Sequence, residues 1–451
     1  MTGSPVVVVG AGPVGLAAAA EVVERGLPAL VLERGPHAGA AVAQWGHVRL
    51  FSRWGELVAP PARRLLETHG WQHPDETTYP TGREWVQQYL RPLADALGER
   101  VRFGAEVTGV ARRGRDRVVD AGRESEPLTV HVHTSDGTPE RITARAVIDA
   151  SGTWGSPNPL GGDGLPALGE AAATDRITYL MPDLGDDAVA TRYAGRHVVV
   201  AGSGHSALTA LVGLAELAAR HPSTRITWLL RREAVGSAFG GGEADQLPAR
   251  GALGMRARAA VEAGRIEVVR GFRTEAVEHD ATGALTLRSS TGQVVEAVDE
   301  VVVATGFRPD LSWLSELRLA LDATLQAPVA LAPLIDPNVH SCGTVYPHGA
   351  KELAHPEPNV FLAGMKSYGR APTFLALTGY EQVRSIAAAL AGDRESAERV
   401  ELVLPETGVC SGAGLSELDT AVADADADAD AGCCGAPAEP QTVSLSAPAA
   451  R

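Results

Sequence analysis

The feature that most constrains this chain is a strand–turn–helix–strand unit at its start, PVVVVGAGPVGLAAAAEVVERGLPALVLE, residues 5–33. Pro5 to Val9 is a β-branched run typical of a strand that is buried on both faces. Gly10, Gly12 and Gly15 follow with the spacing G-x-G-x-x-G. The first glycine permits a tight turn, the second lets the backbone approach a pyrophosphate, and the third lets the helix pack closely on the strand. The spacing therefore predicts a dinucleotide-binding βαβ unit.

The rest of the unit supplies the other parts that such a site needs. Residues 14–25 form an alanine-rich stretch that predicts a helix whose N-terminus presents N–H groups to phosphates. Residues 29–32 predict the second strand, and Glu33 stands at its tip, where a carboxylate can accept hydrogen bonds from an adenosine ribose. An ordinary βαβ unit whose glycines serve packing alone is the alternative. The complete context of strand, helix and acid disfavours that alternative.

The same pattern recurs about 190 residues later. His197 to Ala201 predicts a buried strand, and Gly202, Gly204 and Ser206 lie in GSGHSA, the permitted variant G-x-G-x-x-A. A helix is predicted from about residue 207 to 220 and a second strand from 225 to 230. This pattern predicts a second dinucleotide site.

The tip of that second strand differs from the first because it carries Arg231 and Arg232 instead of an acid. An acid would repel a ribose 2′-phosphate, whereas paired guanidinium groups would hold it. We therefore predict NADPH at the second site. The alternative is that both arginines belong to a solvated strand end.

Composition excludes several classes of protein. A length of 451 residues predicts two or three domains. The net charge of −15 argues against a nucleic-acid partner. No window of eighteen consecutive apolar residues is present, so no membrane span is expected. The first strand begins too early to leave room for a signal peptide, and four cysteines do not make a disulfide framework, so we expect a reducing cytoplasm.

Residues 44–57, QWGHVRLFSRWGEL, concentrate aromatic and basic side chains in a chain that is only 5% aromatic. Trp45, His47 and Arg49 lie in this loop, which we call the aromatic loop. Long loops in compact domains are usually functional, so a lid over a planar ligand is one interpretation. A packed surface loop is the other.

These features together resemble the two-dinucleotide-binding-domain flavoproteins and, within them, the flavin-containing monooxygenase group. The resemblance covers residues 5–395 and rests on both fingerprints, on DASG (149–152) and ATG (304–306) as crossings between domains, and on NVFLAG (359–364) as the last flavin strand. It implies FAD at the first site and NADPH at the second. The cofactor-binding residues that it implies are Gly10, Gly12, Gly15, Glu33, Arg34, Val107, Ser151, Gly152, Gly202, Gly204, Ser206, Arg231, Arg232, Thr305, Gly306, Gly364 and Met365.

The resemblance also implies an α/β fold with two Rossmann-like dinucleotide-binding domains, the NADPH domain being nested in the FAD domain. The expected ranges are 1–160 and 305–400 for the FAD domain, 161–304 for the NAD(P)H domain, and 406–451 for a disordered acidic tail. Residues 101–103, 106–111 and 128–133 are expected to form an inserted β-layer, and residues 266–269 to open a β-meander that continues through 274–277, 285–289 and 294–298.

Two departures from the resembled proteins are visible. Many of them carry Asp after the last-strand glycine, where it bonds the ribityl chain, but this chain has Met365, so that contact must come from elsewhere. The related disulfide reductases use a pair of cysteines facing the flavin. Here Cys342 is the only cysteine before Cys410, so disulfide reduction of that type is not expected.

The resembled monooxygenases reduce FAD with hydride from NADPH and pass one oxygen atom of O₂ from a flavin hydroperoxide to a small nitrogen, sulfur or metalloid nucleophile, or insert it beside a ketone carbonyl. The aromatic loop would then exclude water. Arg49 is the candidate to stabilise negative charge, with Trp45 and His47 beside it. The alternative is a flavin-bound redox sensor or metalloid-binding protein.

Three cysteines in the tail, Cys410, Cys433 and Cys434, support that alternative. Adjacent cysteines in a flexible segment can present two soft thiolates to a trivalent metalloid. Neighbouring aspartates raise thiol pKa values and oppose this, and incidental cysteines in a disordered tail are the other interpretation. Flavin monooxygenase-like proteins also occur in bacterial arsenic-resistance clusters. The sequence is compatible with a homodimer and does not specify one.

Overall fold

Two parallel β-sheets organise the residues described by the computed structural model, 3–245, 247–281, 283–339, 348–372 and 374–402. Each sheet has five strands, and each carries a smaller antiparallel layer of three. The strands in chain order are β1 Val6–Val9, β2 Ala29–Glu33, β3 Val101–Phe103, β4 Ala105–Arg112, β5 Leu128–Thr134, β6 Pro139–Ala144, β7 Ala146–Asp149, β8 Ile177–Thr178, β9 His197–Ala201, β10 Arg225–Leu229, β11 Glu267–Val269, β12 Thr274–His279, β13 Leu285–Ser289, β14 Val294–Val298, β15 Glu300–Val303 and β16 Val360–Leu362.

The α-helices lie between these strands and vary widely in length. In chain order they are α1 Pro13–Glu24, α2 Ala40–Ala43, α3 Trp54–Leu57, α4 Pro60–Glu67, α5 Gly82–Trp85, α6 Arg91–Leu97, α7 Asp187–Tyr193, α8 His205–Arg220, α9 Pro248–Glu262, α10 Ala332–Ile335, α11 Ala376–Ala391 and α12 Arg394–Glu398. A π-helical stretch, Val86–Leu90, joins α5 to α6, and Gly364–Tyr368 forms a 3₁₀ segment after β16.

The first sheet has the strand order β16-β7-β1-β2-β3, and every pair in it is parallel. Val9, the last residue of β1, lies between Leu32 and Asp149 of its two neighbours. The register continues outward, because Asp149 lies opposite Leu362 of β16. The carboxyl ends of β1, β7 and β16 therefore stand side by side. Ligands in open parallel sheets bind outside this edge.

The second sheet has the order β11-β10-β9-β15-β8 and is also entirely parallel. All of its strands fall between β7 and β16 in the chain, so it is inserted into the sequence of the first sheet. The predicted fold class, two Rossmann-like α/β units, is confirmed. The residue limits predicted for the domains stay a prediction.

Both parallel sheets bury their central strand, β1 or β9, in the same way. Val6 and Val8 of β1 pack in a core with α1 and α11, while Val7 and Val9 pack in a core with β4, β5 and β6. In β9, Val198 and Val200 contact the helical core, whereas Val199 contacts the core under the meander. Alternating side chains of a strand face opposite sides of its sheet, so a continuous apolar run is what two covered faces require.

Two predicted strands belong to different sheets from those expected. Val101–Phe103 pairs in parallel with β2 at the edge of the first sheet and is not part of the inserted layer. Glu267–Val269 likewise pairs with β10 in the second sheet and does not open the meander. The layers are β4-β5-β6 and β12-β13-β14. Among the described residues, no helix is long and apolar enough to cross a membrane.

Candidate cofactor and active site

The first glycine-rich turn is shaped by two glycines that the fold itself requires. Gly10 has a φ of +99°, and a Cβ added to it would lie 2.9 Å from the carbonyl oxygen of Ala150 and 2.9 Å from the Cα of Ser151. A Cβ on Gly15 would lie 1.9 Å from the carbonyl oxygen of Gly10. The helix, the turn and the end of β7 therefore approach one another more closely than side chains would permit.

Gly12 is different, because an added Cβ would have no atom within 4 Å. It precedes α1 with an extended backbone, φ −81° and ψ −175°, that any residue could adopt. The protein therefore does not need a glycine here for its own packing. Open space in front of the N-terminus of α1 is what a pyrophosphate requires, so this turn fits the phosphates of FAD.

Glu33 is fixed at this turn by two backbone groups. Its carboxylate accepts one hydrogen bond from the N–H of Ala11 at 2.7 Å and another from the N–H of Gly35 at 2.7 Å. A carboxylate has about four lone-pair positions, so both oxygens retain capacity for ribose hydroxyls. The neighbouring Arg34 lies against Gly155, with a guanidinium nitrogen 2.7 Å from the position of an added Cβ.

The structure brings most of the other residues predicted to bind FAD to the same edge. Ser151 and Gly152 follow β7 beside Gly10, and a Cβ on Gly152 would also have no atom within 4 Å. Gly364 follows β16 and lies against the first turn of α1, where a Cβ added to Gly364 would lie 3.2 Å from the Val14 side chain. Two further predicted residues are Met365, which is partly exposed beside Gly364, and Val107, which is partly buried on β4.

A buried charged group at this edge was missed by the sequence analysis. The Nζ of Lys366 lies 2.7 Å from Asp149 Oδ2 and donates a hydrogen bond to Ser151 Oγ at 3.0 Å. The side chains of Lys366 and Asp149 are only 1% and 0% exposed. The rarity of lysine could have singled out this residue, because Lys351 and Lys366 are the only two lysines among the 40 Lys and Arg residues.

Tyr368 was also missed. Its side chain is 2% exposed, its hydroxyl has no hydrogen-bond partner among the described residues, and its ring packs on Phe374 with centroids 4.9 Å apart. Burial raises the pKa of Tyr368, so the hydroxyl stays protonated and remains a donor. Buried polar groups normally have partners, so this hydroxyl is an exception among the described residues near the end of β16.

The second turn repeats the geometry of the first. Gly202 has a φ of +129°, and its Cβ would lie 2.2 Å from the carbonyl oxygen of Ala304. Gly204, just before α8, has no atom within 4 Å of an added Cβ and is exposed. Ser206 lines the adjoining cleft, which is otherwise formed by Trp154, Tyr179, Leu180, Met181, Val303, Ala304, Gly306 and Phe307. This turn fits a second set of phosphates.

Arg231 and Arg232 lie just beyond the end of β10, separated from it by Leu230. Arg231 is exposed, and its guanidinium donates to the carbonyl of Gly162 at 3.3 Å. Arg232 is half-buried, and its carbonyl accepts from the N–H of Gly271. Arg231 uses one of its five N–H donors in this contact, so the other donors of its guanidinium group remain available to a phosphate.

The two crossings between the sheets are joined to each other. Pro157 and Phe307 form an antiparallel bridge, and the Asn158 side chain donates to the carbonyl of Thr305 at 2.9 Å. The Thr305 hydroxyl donates back to the Asn158 carbonyl at 3.0 Å. Thr305 therefore holds the crossings together, and Gly306 accepts from the N–H of Asn158.

The aromatic loop reaches from the first unit to the second. Trp45 and Trp154 have ring centroids 6.5 Å apart, and Trp154 and Phe307 are 4.8 Å apart. Further along the loop, the ring of Phe51 packs edge-on against His205, the first residue of α8, at 5.3 Å. The loop thus contacts both the crossings and the second phosphate-binding turn.

The two polar candidates in this loop differ in their contacts, and the Nε2 of His47 is buried without a hydrogen-bond partner among the described residues. Arg49 is exposed, and its guanidinium donates to the carbonyl of Tyr79. His47 Nδ1 lies 3.9 Å from Asp183 Oδ2, and Arg83 lies 3.6 Å from the same oxygen. Burial lowers the pKa of His47, Arg83 lowers it further, and Asp183 opposes both. The imidazole is therefore neutral near pH 7.

The metal-site prediction on Cys410, Cys433 and Cys434 lies outside the described residues, as does Cys342. Among the residues that are described, no group of three or more His, Cys, Asp or Glu side chains could hold a metal ion.

Known proteins resemble this chain over different shares of its length. A family model described as pyridine nucleotide-disulphide oxidoreductase matches residues 7–331. An indole-3-pyruvate monooxygenase of rice, Oryza sativa subsp. japonica, is 32% identical over 203 residues, which is 45% of this chain and 43% of the rice protein, so the chain spans less than half of that relative. A ferredoxin–NADP reductase of Ignicoccus hospitalis is 26% identical and covers 69% of this chain and 79% of its own.

Among solved structures, a bacillithiol disulfide reductase of Bacillus cereus has a TM-score of 0.64 with 20% identity. The similarity covers 86% of this chain and 99% of that one. At this identity, the likeness establishes the fold alone.

Proposed function

This chain belongs to the pyridine nucleotide-disulphide oxidoreductase family, and we propose that it is an NADPH-dependent flavoprotein monooxygenase. The family confirms FAD and NADPH as the predicted cofactors and a flavin-dependent oxidoreductase as the class of enzyme. The proposed reaction transfers one oxygen atom of O₂ to a small nitrogen, sulfur or metalloid nucleophile or to a ketone. The other atom leaves as water, with NADPH as the reductant.

The absence of thiols from the matched region carries this proposal. Residues 7–331 contain no cysteine, so the cysteine pair that a disulfide reductase of this family needs beside the flavin has no place there. The rings of Trp154 and Phe307 instead line the cleft that adjoins Ser206 of the second turn, and Trp45 packs against Trp154. Water-excluding side chains at this position suit a reaction whose intermediates are hydrolysed easily.

The residues of the first turn would hold FAD. The N-terminus of α1 at Gly12 would bind the pyrophosphate, and Glu33 would accept the ribose hydroxyls, with Arg34 beside the adenosine. Ser151 and Gly152 would border the phosphates, while Gly364 and Met365 would lie along the ribityl chain. Reduced FAD supplies the electrons that activate O₂.

The residues of the second turn would hold NADPH. Gly204 and Ser206 would face its pyrophosphate, and Arg231 with Arg232 would face the 2′-phosphate. The aromatic loop would close over the meeting point of the cofactors. Arg49 would supply positive charge there, because its contact with Tyr79 leaves further N–H donors free.

The test is substrate-stimulated NADPH oxidation measured together with oxygen uptake. Amines, sulfides, ketones and organoarsenicals should be compared at equal concentration. With a substrate of the right class, a monooxygenase consumes NADPH and O₂ and forms oxygenated product in equal molar amounts. NADPH oxidation that reduces an added disulfide or a ferredoxin and needs no oxygen would contradict the proposal.

The cysteine-bearing tail suggests a second function, metalloid binding or sensing. Three of the four cysteines, Cys410, Cys433 and Cys434, lie in the last 42 residues. The described chain ends near Arg384 of α11, which contacts the carbonyls of Ser396 and Arg399. A truncation after Leu404 keeps these contacts, so it should retain FAD and basal NADPH oxidation. It should lose stoichiometric As(III) binding, and equal binding by both proteins would rule out a metalloid role for the tail.

A further inference from the structure

Lys366 connects the ends of two neighbouring strands in the first sheet. It follows β16, and its ammonium reaches Asp149, the last residue of β7, at 2.7 Å. Asp149 Oδ1 in turn accepts from the N–H of Ser151 at 3.1 Å and from its hydroxyl at 2.6 Å. We call Asp149, Ser151 and Lys366 the buried triad.

The ammonium is satisfied without a ligand. Its first two contacts are the carboxylate of Asp149 and the hydroxyl of Ser151, and its remaining side faces the ring of Trp313, with Nζ 4.6 Å from the centroid. A charge removed from water needs this degree of pairing. Because Asp149 neutralises Lys366, the pair adds little net charge to the edge of the sheet.

The buried triad forms one wall of the first turn. An added Cβ at Gly10 would lie 2.9 Å from the Cα of Ser151, so the backbones of the turn and the triad touch. Gly152, the next residue, has a φ of +68° and open space where a Cβ would be. A shift of Ser151 would therefore move the surface that borders the turn.

We propose that Lys366 and Asp149 are positioning residues for FAD and act through Ser151. By tying β16 to β7, they fix the turn Ser151–Gly152 at the distance from Gly10 that the FAD phosphates need. The buried ion pair would thus help to hold FAD in place, in a chain where Met365 cannot make the hydrogen bond to the ribityl chain that Asp makes in many related proteins. This inference rests on the proposed placement of FAD at the first turn.

A second buried ion pair serves as a matched control. Glu357 is 1% exposed and pairs with Arg112 and Arg123, each 3% exposed, at 2.6 Å. This group ties β4 to the segment before β16, and Arg112 also donates to the carbonyl of Pro358. None of its recorded contacts within the described part of the chain involves the turn or Ser151. It shares the burial and pairing of the buried triad without the proposed connection to FAD.

The test compares FAD affinity with stability in four proteins: Lys366→Met, the double variant Lys366→Met/Asp149→Asn, Glu357→Gln and the wild type. FAD is removed, and apoprotein is titrated with FAD while flavin fluorescence is recorded. Thermal unfolding of each apoprotein gives its stability. Both variants of the buried triad should bind FAD roughly 10- to 100-fold more weakly, the range for loss of one charge-assisted hydrogen bond.

The double variant separates positioning from stability. Removing one partner of a buried pair leaves an uncompensated charge, whereas removing both does not. The double variant should therefore unfold at a higher temperature than Lys366→Met yet remain weak for FAD. Glu357→Gln should lose stability and keep wild-type FAD affinity. If the double variant recovers both properties, or if Glu357→Gln weakens FAD equally, the positioning role is wrong.

Salt distinguishes positioning from direct contact with phosphate. An ammonium that touched the FAD phosphates would give a defect that shrinks as ionic strength screens the attraction. If the pair acts only by positioning, the variants should lose FAD affinity by the same factor at low and high salt. A loss of affinity that depends on salt would overturn the inference. Failure of the wild-type apoprotein to bind FAD at all would instead refute the placement of the cofactor.

Discussion

The two glycine-rich turns share a backbone but differ in what surrounds them. The first turn is bordered by the buried triad, by the 3₁₀ segment Gly364–Tyr368 and by α11. Helix α11 packs closely on the turn, because a Cβ added to Gly379 would lie 2.5 Å from the Val14 side chain. At the second turn, Ser203, Gly204 and His205 are exposed, and the ring of Phe51 is a neighbour contributed by the aromatic loop.

This difference indicates different lifetimes for the two cofactors. A ligand held among buried groups must disrupt them to leave, so we expect FAD to remain bound through many turnovers. A ligand at an exposed helix N-terminus loses little when it departs, so we expect NADPH to exchange in each cycle. The same fingerprint would thus serve a resident and a transient cofactor.

The largest effect is expected from Gly12→Val. The protein has no atom within 4 Å of the new Cβ, so the chain should fold, but the branched side chain would occupy the space of the pyrophosphate. Purified protein should be colourless, measured as flavin absorbance per protein. Gly15→Val is the control, because its Cβ would meet the Gly10 carbonyl at 1.9 Å and should prevent folding. Full flavin content in Gly12→Val would place FAD elsewhere.

Gly204→Val makes the corresponding change at the second turn. It should give yellow protein with normal flavin content, because the first turn is untouched. NADPH should no longer reduce the flavin at ordinary concentrations, while dithionite still does. The measurement is flavin bleaching under anaerobic conditions. Loss of flavin from this variant, or unchanged reduction by NADPH, would show that the two turns do not divide the cofactors as proposed.

Removing both arginines tests the charge at the second strand tip. A charge-assisted contact contributes about 1.5–3 kcal/mol, or roughly 10- to 100-fold in affinity. Arg231→Ala/Arg232→Ala should raise KM for NADPH by that factor and leave KM for NADH nearly unchanged. The exposed Arg220 at the end of α8 offers a control, since Arg220→Ala should affect neither cofactor. Equal losses for NADPH and NADH would assign the pair a structural role.

The smallest effect is expected from His47 in the aromatic loop. The pKa of His47 is lowered in the folded protein from its ordinary value of 6.5, so unfolded chains bind the proton more readily. The stability contributed by neutral His47 is complete above the unfolded pKa and is lost as pH falls through that value towards the lower folded pKa. His47→Gln should flatten the decline of the unfolding temperature over this range. An unchanged pH dependence of the unfolding temperature in His47→Gln would show that His47 does not cause the decline.

The sequence by itself determined the parts of the fold that follow from local pattern. Runs of three or four valines specify strands buried on both faces, and the glycine spacings specify turns that only close backbone approach explains. Glu33 and the arginines at 231 and 232 were identified for the same reason, because their distance from each fingerprint places them at a strand tip. These inferences need only a few neighbouring residues.

The tertiary structure alone decided which sheet a short strand joins and which charges are buried. Val101–Phe103 and Glu267–Val269 are three residues each, and three apolar-rich residues suit an edge of a parallel sheet as well as an antiparallel layer. Helix α9, Pro248–Glu262, has a weak apolar pattern, and its packing against α8 is visible only in the folded protein. Lys366 pairs with Asp149 across 217 positions of the chain, and no local pattern can specify a contact between residues that only folding brings together.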